Sequence, residues 1–211
     1  MIKFQAKYLP ALMLFAAKND IRYYLNGIHV EAHPDGGAVL VATDGHTALV
    51  IRDISAVCTE QCIFKISGDA ARHTTKKDAI VEINDKTERL TISDMTGELF
   101  VQPGKCLVQG KFPDWKHIMP KFDNLKREVD SYIRAPYLAR AMQAHPKYKN
   151  RQIGAGAAVR LWSEGPNCVV AVEYEGAPEY CGLIMPVRPG SRTAPVEPWG
   201  AMFFAKDEVP A

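Results

Sequence analysis

The chain has 211 residues, 47% of them hydrophobic, with a formal net charge of +2 and a pI near 8.2. That length suits one large or two small domains with a real core, and the near-balanced charge excludes binding of nucleic acid through bulk basicity, so any phosphate contact depends on local placement of Lys and Arg. No apolar run approaches the roughly 20 residues that span a bilayer, and Met1–Phe4 opens no signal-peptide core, so a cytoplasmic protein with no membrane association is expected.

Residues 2–7 read as a short strand. Tyr8–Lys18 reads as a helix, because Pro10 is tolerated only in a first turn while Leu12, Phe15 and Ala16 recur at helical spacing. Three alternating β-rich runs follow, Arg22–Glu31, Ala38–Thr43 and Thr47–Arg52, divided by His33-Pro34-Asp35-Gly36-Gly37 and by Asp44-Gly45-His46. Both dividers carry turn chemistry, which predicts a three-stranded meander. After a loop at Asp53–Gln61 the order starts again, with a strand at Cys62–Ile66 and a helix opened by Ser67-Gly68-Asp69, in which Ser67 is the N-cap candidate. Strands at Ala79–Asn84, Arg89–Asp94 and Glu98–Val108 complete the second pass.

Beyond Pro120 the composition turns polar, and Lys121–Glu128 reads as a linker. A third pass then has a strand at Val129–Arg134 and a helix at Pro136–His145, with Pro136 at its first position and Leu138, Ala141 and Met142 on one face. Strands near Ala158–Glu164, Cys168–Glu175 and Tyr180–Val187 close it. The same βαβββ order thus recurs three times, an α+β pattern. A third unit standing alone leaves a sheet edge unpaired, which predicts self-association through that unit.

No catalytic constellation emerges. The six histidines are scattered, no Ser or Cys sits in a nucleophile motif, and Gly154-Ala155-Gly156 lacks the context of a dinucleotide site, so no enzyme is expected. The odd number of cysteines, Cys58, Cys62, Cys106, Cys168 and Cys181, suits small buried hydrophobes in a reducing compartment. Cys58 and Cys62 have no second pair at metal-ligand spacing, so neither a metal nor another cofactor is expected.

Arg22-Tyr23-Tyr24-Leu25-Asn26-Gly27 followed by Val41-Ala42-Thr43-Asp44-Gly45-His46 resembles the middle domain of the bacterial sliding clamp, the β subunit of DNA polymerase III. Gly110-Lys111-Phe112-Pro113-Asp114-Trp115 and Leu183-Ile184-Met185-Pro186-Val187-Arg188 fall in the clamp's order. The resemblance implies a DNA-clamp-like α+β fold of three repeated βαβββ units, with helices on one face of antiparallel sheets. Residues 1–120 match the middle domain, 121–188 the second half of the last domain, and 189–211 form an extension. It further implies a processivity factor for a DNA polymerase that encircles or tracks double-stranded DNA and docks the polymerase, the clamp loader or repair proteins. With part of the usual subunit missing, a homo-oligomer is expected: a dimer joined third unit to third unit, or a tetramer closing a ring.

Two sets of residues follow from that resemblance. A peptide-binding groove would be walled by Leu25, Thr43, Gly45, His46, Thr47, Ala48, Pro113, His117, Leu183, Ile184, Met185, Pro186, Val187 and Arg188, taking short motifs with Gln and Leu or Phe anchors. Thr47, Ala48 and His117 depart from the family's usual basic residue, Leu and Arg, so a different or weaker peptide is expected. DNA would meet Lys18, Arg22, Tyr23, Tyr24, Arg72, Lys76, Lys77, Arg140, Lys147, Lys149 and Arg151, on or after the helices. On charge alone, Lys18, Lys76, Lys77 and Lys147 equally fit cations complementing helix C-termini. A competing reading keeps the groove without encircled DNA, as a clamp-derived protein that binds clamp-binding peptides or a host clamp. The cluster Trp199-Gly200-Ala201-Met202-Phe203-Phe204 is expected to fill a groove or cover the open sheet edge.

Overall fold

A computed structural model describes residues 1–74, 78–127, 129, 131–149, 152–153 and 157–187. Strand β1 (Ile2–Gln5) leads through a 3-10 turn at Ala6–Tyr8 into helix α1 (Leu9–Phe15). Strands β2 (Ile28–Ala32), β3 (Ala38–Thr43), β4 (Thr47–Asp53) and the short β5 (Val57–Cys58) follow. Next come β6 (Cys62–Phe64), a 3-10 turn at Gly68–Arg72, β7 (Ile80–Asn84), β8 (Arg89–Asp94) and β9 (Gly97–Val101). The last part holds α2 (Ala135–Gln143), a small hairpin of β10 (Tyr148–Lys149) and β11 (Gln152–Ile153), then β12 (Val159–Ser163), β13 (Val170–Tyr174) and β14 (Tyr180–Ile184).

Two antiparallel sheets carry the fold, one of five strands in the order β5-β1-β7-β8-β9 and one of seven in the order β12-β13-β14-β4-β3-β2-β6. The larger sheet is continuous across the β14–β4 seam, where Leu183 faces Ala48 and Ile184 faces Thr47. Both α-helices pack on one face of it: Leu9, Leu12 and Phe15 of α1 and Ala141 of α2 share a core with Leu40, Leu49, Ile51, Val172 and Ile184. Each large apolar side chain buried there contributes about 1.5–3 kcal/mol. The opposite face is covered in its middle by a second cluster, in which Val39, Val41, Val50, Ala171 and Leu183 meet Phe112. Cover on both faces buries every residue of β3, so this strand is not the alternating one that the sequence predicts.

Several predicted elements differ in extent. Arg22–Glu31 does not form one strand: Tyr23–Asn26 is a 3-10 turn with Leu25 N–H bonded to Arg22 O at 2.8 Å, and the strand starts at Ile28. The cause is a local clasp, since the Asn26 side chain donates to Asp20 O and accepts from Asp20 N–H, both at 2.9 Å. The helix after Ser67 is a 3-10 turn, and the Ser67 side chain makes no cap bond. The strand expected at Glu98–Val108 stops at Val101, before the Pro103-Gly104 turn, where Gly104 takes a φ of +78°. The strand expected at Val129–Arg134 is reduced to a bridge between Tyr132 and Val187. Among the described residues, the full strand, helix and three-strand order is therefore complete only in its first pass. Among the described residues, no helix is long and apolar enough to cross a membrane.

Candidate functional site

Where β14 lies beside β4, the β3–β4 turn and the loop through Pro113 enclose a groove of about 230 Å³. The turn is rigid by construction. Asp44 Oδ1 accepts from the backbone N–H groups of His46 (2.9 Å) and Thr47 (2.8 Å), and Thr43 Oγ1 accepts from Gly45 N–H while donating to Thr47 O. Gly45 has a φ of +87°, in the left-handed region, and an added Cβ would stand 3.0 Å from Arg22 Nη1. Met185 N–H donates to His46 O at 2.9 Å, which ties the end of β14 to the turn.

The facing wall is a loop held at two points. Val108 N–H bonds to Ile63 O at 2.8 Å, and Lys116 pairs with Glu31 at 2.7 Å. Glu31 also accepts from His29, whose ring stacks on Phe112 with centroids 4.9 Å apart. Burial pushes the Glu31 carboxyl up, but the Lys116 and His29 contacts outweigh it and the net direction is down. These contacts set Trp115 and Ile118 against the groove.

Of the expected groove residues, the structure gathers Leu25, Thr43, Gly45, His46, Thr47, Ala48, Pro113, Leu183 and Met185 along one lining. Ile184 faces the opposite side, into the main core, because side chains alternate along β14. His117 is exposed on the 3-10 turn Trp115–Ile118 outside the lining, and Pro186 and Val187 lie beyond the groove's end. Arg188 falls outside the described residues, as does the extension with Trp199–Phe204. Sequence reasoning missed Asp114, Trp115 and Ile118 as lining, and assigned Arg22 and Tyr24, which also line it, to DNA. Trp115 ends the Gly110–Trp115 motif, and nothing in the sequence says which way its ring turns. The floor is apolar and the rim carries Thr43, His46, Asp114 and Arg22. A space below the usual ~300–1,000 Å³ of a small-molecule pocket suits one or two apolar anchor side chains of a peptide.

The basic residues are less available than their positions in the sequence imply. Arg140 of α2 forms an ion pair with Asp44 Oδ2 and donates to Thr47 Oγ1 at 2.7 Å, which joins α2 to the back of the β3–β4 turn. Burial raises the Asp44 carboxyl, yet the Arg140 contact and the Thr47 and His46 N–H groups leave it below the usual carboxylate range. Arg22 makes a two-point contact with Asp20, at 3.0 and 2.8 Å, and Arg72 pairs with Asp69 at 2.9 Å. Lys18 is exposed at the end of α1, beside a cleft of about 480 Å³ shared with Arg140 and Pro136. Tyr23 is exposed and meets Tyr24 edge to face, and Tyr24 packs half-buried against the second cluster. Lys147 is exposed after α2. Lys149 belongs to β10, while Lys76, Lys77 and Arg151 lie outside the described residues.

No family model matches the chain. It is 30% identical over 173 residues to the beta sliding clamp of Pseudomonas aeruginosa, a match covering 76% of this chain and 46% of that protein. The beta sliding clamp of Pseudomonas putida matches at 30% over 175 residues, with the same shares. The chain therefore spans about half the length of the curated relatives it matches. Among solved structures, the sliding clamp from P. aeruginosa with ligand superposes with a TM-score of 0.65 at 18% identity, covering 89% of this chain and 65% of that one. DNA polymerase III subunit beta from Borrelia burgdorferi superposes with a TM-score of 0.62 at 13% identity, covering 90% and 65%. Sequence match, antiparallel architecture and the ordered motifs together make the bacterial sliding clamp, the β subunit of DNA polymerase III, the family that this chain resembles over the part of the subunit it spans.

Proposed function

We propose that the chain is a non-enzymatic, clamp-like processivity factor, working in the cytoplasm on double-stranded DNA and docking a polymerase, clamp loader or repair protein through a short peptide. The observation that carries this reading is the groove at the β4–β14 seam, an apolar floor with a polar rim on a braced turn. Residues 1–120 act as a middle-domain body, 121–188 as a half domain that closes the groove, and 189–211 as an appended segment; assembly into a dimer or tetramer is part of the reading.

Fluorescence anisotropy with a labelled peptide carrying Gln and paired Leu and Phe anchors tests the groove. Met185 is 41% exposed and lines it, so Met185→Ala should weaken binding by about fivefold, on the order of 1 kcal/mol, with no change in melting temperature. Unchanged affinity in that variant and in His46→Ala would sink the docking role.

A second reading, a clamp-derived peptide-binding or clamp-joining protein that does not encircle DNA, is favoured by one feature. Arg22, Arg72 and Arg140 are engaged by Asp20, Asp69 and Asp44, which reduces the net positive charge offered to phosphate. Retention on circular duplex but not on short linear duplex supports the processivity factor; peptide binding with no retention on either supports the second reading.

A further inference from the structure

The first half of the chain is held together by an exchange of strands. β1, which leads into α1, does not join β2–β4 but pairs with β7 on one side and β5 on the other. β6, which leads into the Gly68–Arg72 turn, crosses the opposite way and pairs with β2. Each leading strand thus borders the first strand that follows the other one's helical turn.

The chain leading into α2, Ser131–Arg134, shows half of this joint. Its Tyr132 bridges Val187, shortly after β14, as Lys3 pairs with Val57, shortly after β4. The helices support the equivalence: the sequence offset that places Lys3 on Tyr132 also places Leu9, Leu12 and Phe15 on Leu138, Ala141 and Ala144, all packed in the main core. On its other side Ser131–Arg134 has no partner strand among the described residues. Nor does β12, the first strand of the larger sheet after α2 and the β10–β11 hairpin, beyond a single bridge from Lys126 to Ser163.

The open side of β12 can be read from its bonds. Ala158 O accepts from Glu175 N–H, so Arg160 and Trp162 turn their backbone groups toward β13, while Val159, Leu161 and Ser163 turn theirs outward. Lys126 satisfies Ser163 in both directions, at 2.8 and 3.0 Å. The N–H and C=O groups of Val159 and Leu161 remain without a partner among the described residues, as a template for another strand.

We propose that a second copy of this chain supplies that strand: Ser131–Arg134 of each copy pairs antiparallel with β12 of the other, rebuilding between two molecules the exchange that β1 and β6 make within one. The β1–β7 register, in which Ile2, Lys3 and Phe4 face Ile83, Glu82 and Val81, is the template: with Arg160 as the counterpart of Glu82, the outward groups of both segments meet and Ser131 lies against Leu161, Tyr132 against Arg160 and Ile133 against Val159. A slip of two residues toward the end of β12 would require Ser163, which Lys126 already occupies. Where Lys3 and Glu82 form an ion pair at 2.8 Å, the new joint sets the Arg160 guanidinium beside the Tyr132 ring, which is otherwise 60% exposed. Because the exchange is reciprocal, both edges of each copy are taken by the same partner and the contact closes as a twofold dimer.

Light scattering coupled to size exclusion on the full chain should give twice the 23.4 kDa chain mass. The double variant Tyr132→Cys/Arg160→Cys should become a covalent dimer under mild oxidation, reversed by reductant, since these positions form a non-hydrogen-bonded pair at disulfide spacing. Wild type and each single variant should not. Leu161→Pro removes an outward N–H and spares the bonds to β13, so it should yield a folded monomer by circular dichroism and mass. A monomer at every concentration, as when the chain's own residues 188–211 cover the edge, would overturn the proposal. So would a dimer indifferent to Leu161→Pro with no cross-link in the double variant. Both readouts are independent of peptide binding, so the groove can fail while this joint stands, and the reverse.

Discussion

Arg140→Ala removes the one ion pair that ties α2 to the β3–β4 turn. Its two contacts, to Asp44 Oδ2 and Thr47 Oγ1, are charge-assisted hydrogen bonds of about 1.5–3 kcal/mol each, but their loss is partly offset by water. The Arg140 and Asp44 side chains are 27% and 19% exposed, so the carboxylate left behind can be partly solvated while keeping its bonds to His46 and Thr47 N–H. A net cost of about 2 kcal/mol follows, and for a chain of this size that lowers the melting temperature by about 4–8 °C. The pH dependence has a defined sign. The folded Asp44 carboxyl sits below its unfolded value of about 3.9, so the pair's contribution is full above that pH and is lost as pH falls through the lower folded value. Thermal melts of wild type and Arg140→Ala should differ most near neutrality and converge in strong acid. Equal melting temperatures at neutral pH, or a gap that persists undiminished into strong acid, would refute this account of the turn.

Gly36 and Gly37 both adopt positive φ, +86° and +75°, but a Cβ on Gly36 meets open space while one on Gly37 would lie 2.4 Å from Asp53 O. Gly36→Ala should cost about 1 kcal/mol and Gly37→Ala several, a ranking that chemical denaturation reads directly. The Tyr174 hydroxyl is buried without a hydrogen-bond partner among the described residues, so Tyr174→Phe should be neutral or stabilising by about 1 kcal/mol; a clear loss of stability would reveal a bond. Burial pushes the Cys62 thiol up to about 12 and those of Cys106 and Cys181 up to about 11, so in the folded protein all three should resist iodoacetamide at neutral pH. Rapid labelling of any of them by peptide mapping would place it nearer the surface.

The elements that sequence patterns located best were those fixed by their own residues. The Ala38–Thr43 and Thr47–Asp53 hairpin follows from an Asp-Gly turn between apolar runs, and Arg89–Asp94 from clean alternation. Misreadings arose where a distant or side-chain contact decided. Arg22–Gly27 has strand-like composition, yet the Asp20–Asn26 clasp curls it into a 3-10 turn, which turns Leu25 and Tyr24 to the groove. Ile184 sits beside Leu183 in the motif, but the two face opposite sides of β14, and only the register against β4 says which side holds the groove. The basic residues show the same limit in electrostatic form. Spacing placed Arg140 near the helix face and could not show that Asp44, far away in sequence, would take its charge.

The β14–β4 seam also sets when the groove can exist. Its floor joins Ala48 to Leu183, so during synthesis the ribosome must add most of the chain between making the first half of the site and the second. At about 5–20 residues per second that interval is on the order of ten seconds. Until then β4 presents an open edge beside a half-built wall. The groove thus forms late and all at once, when β14 closes on β4.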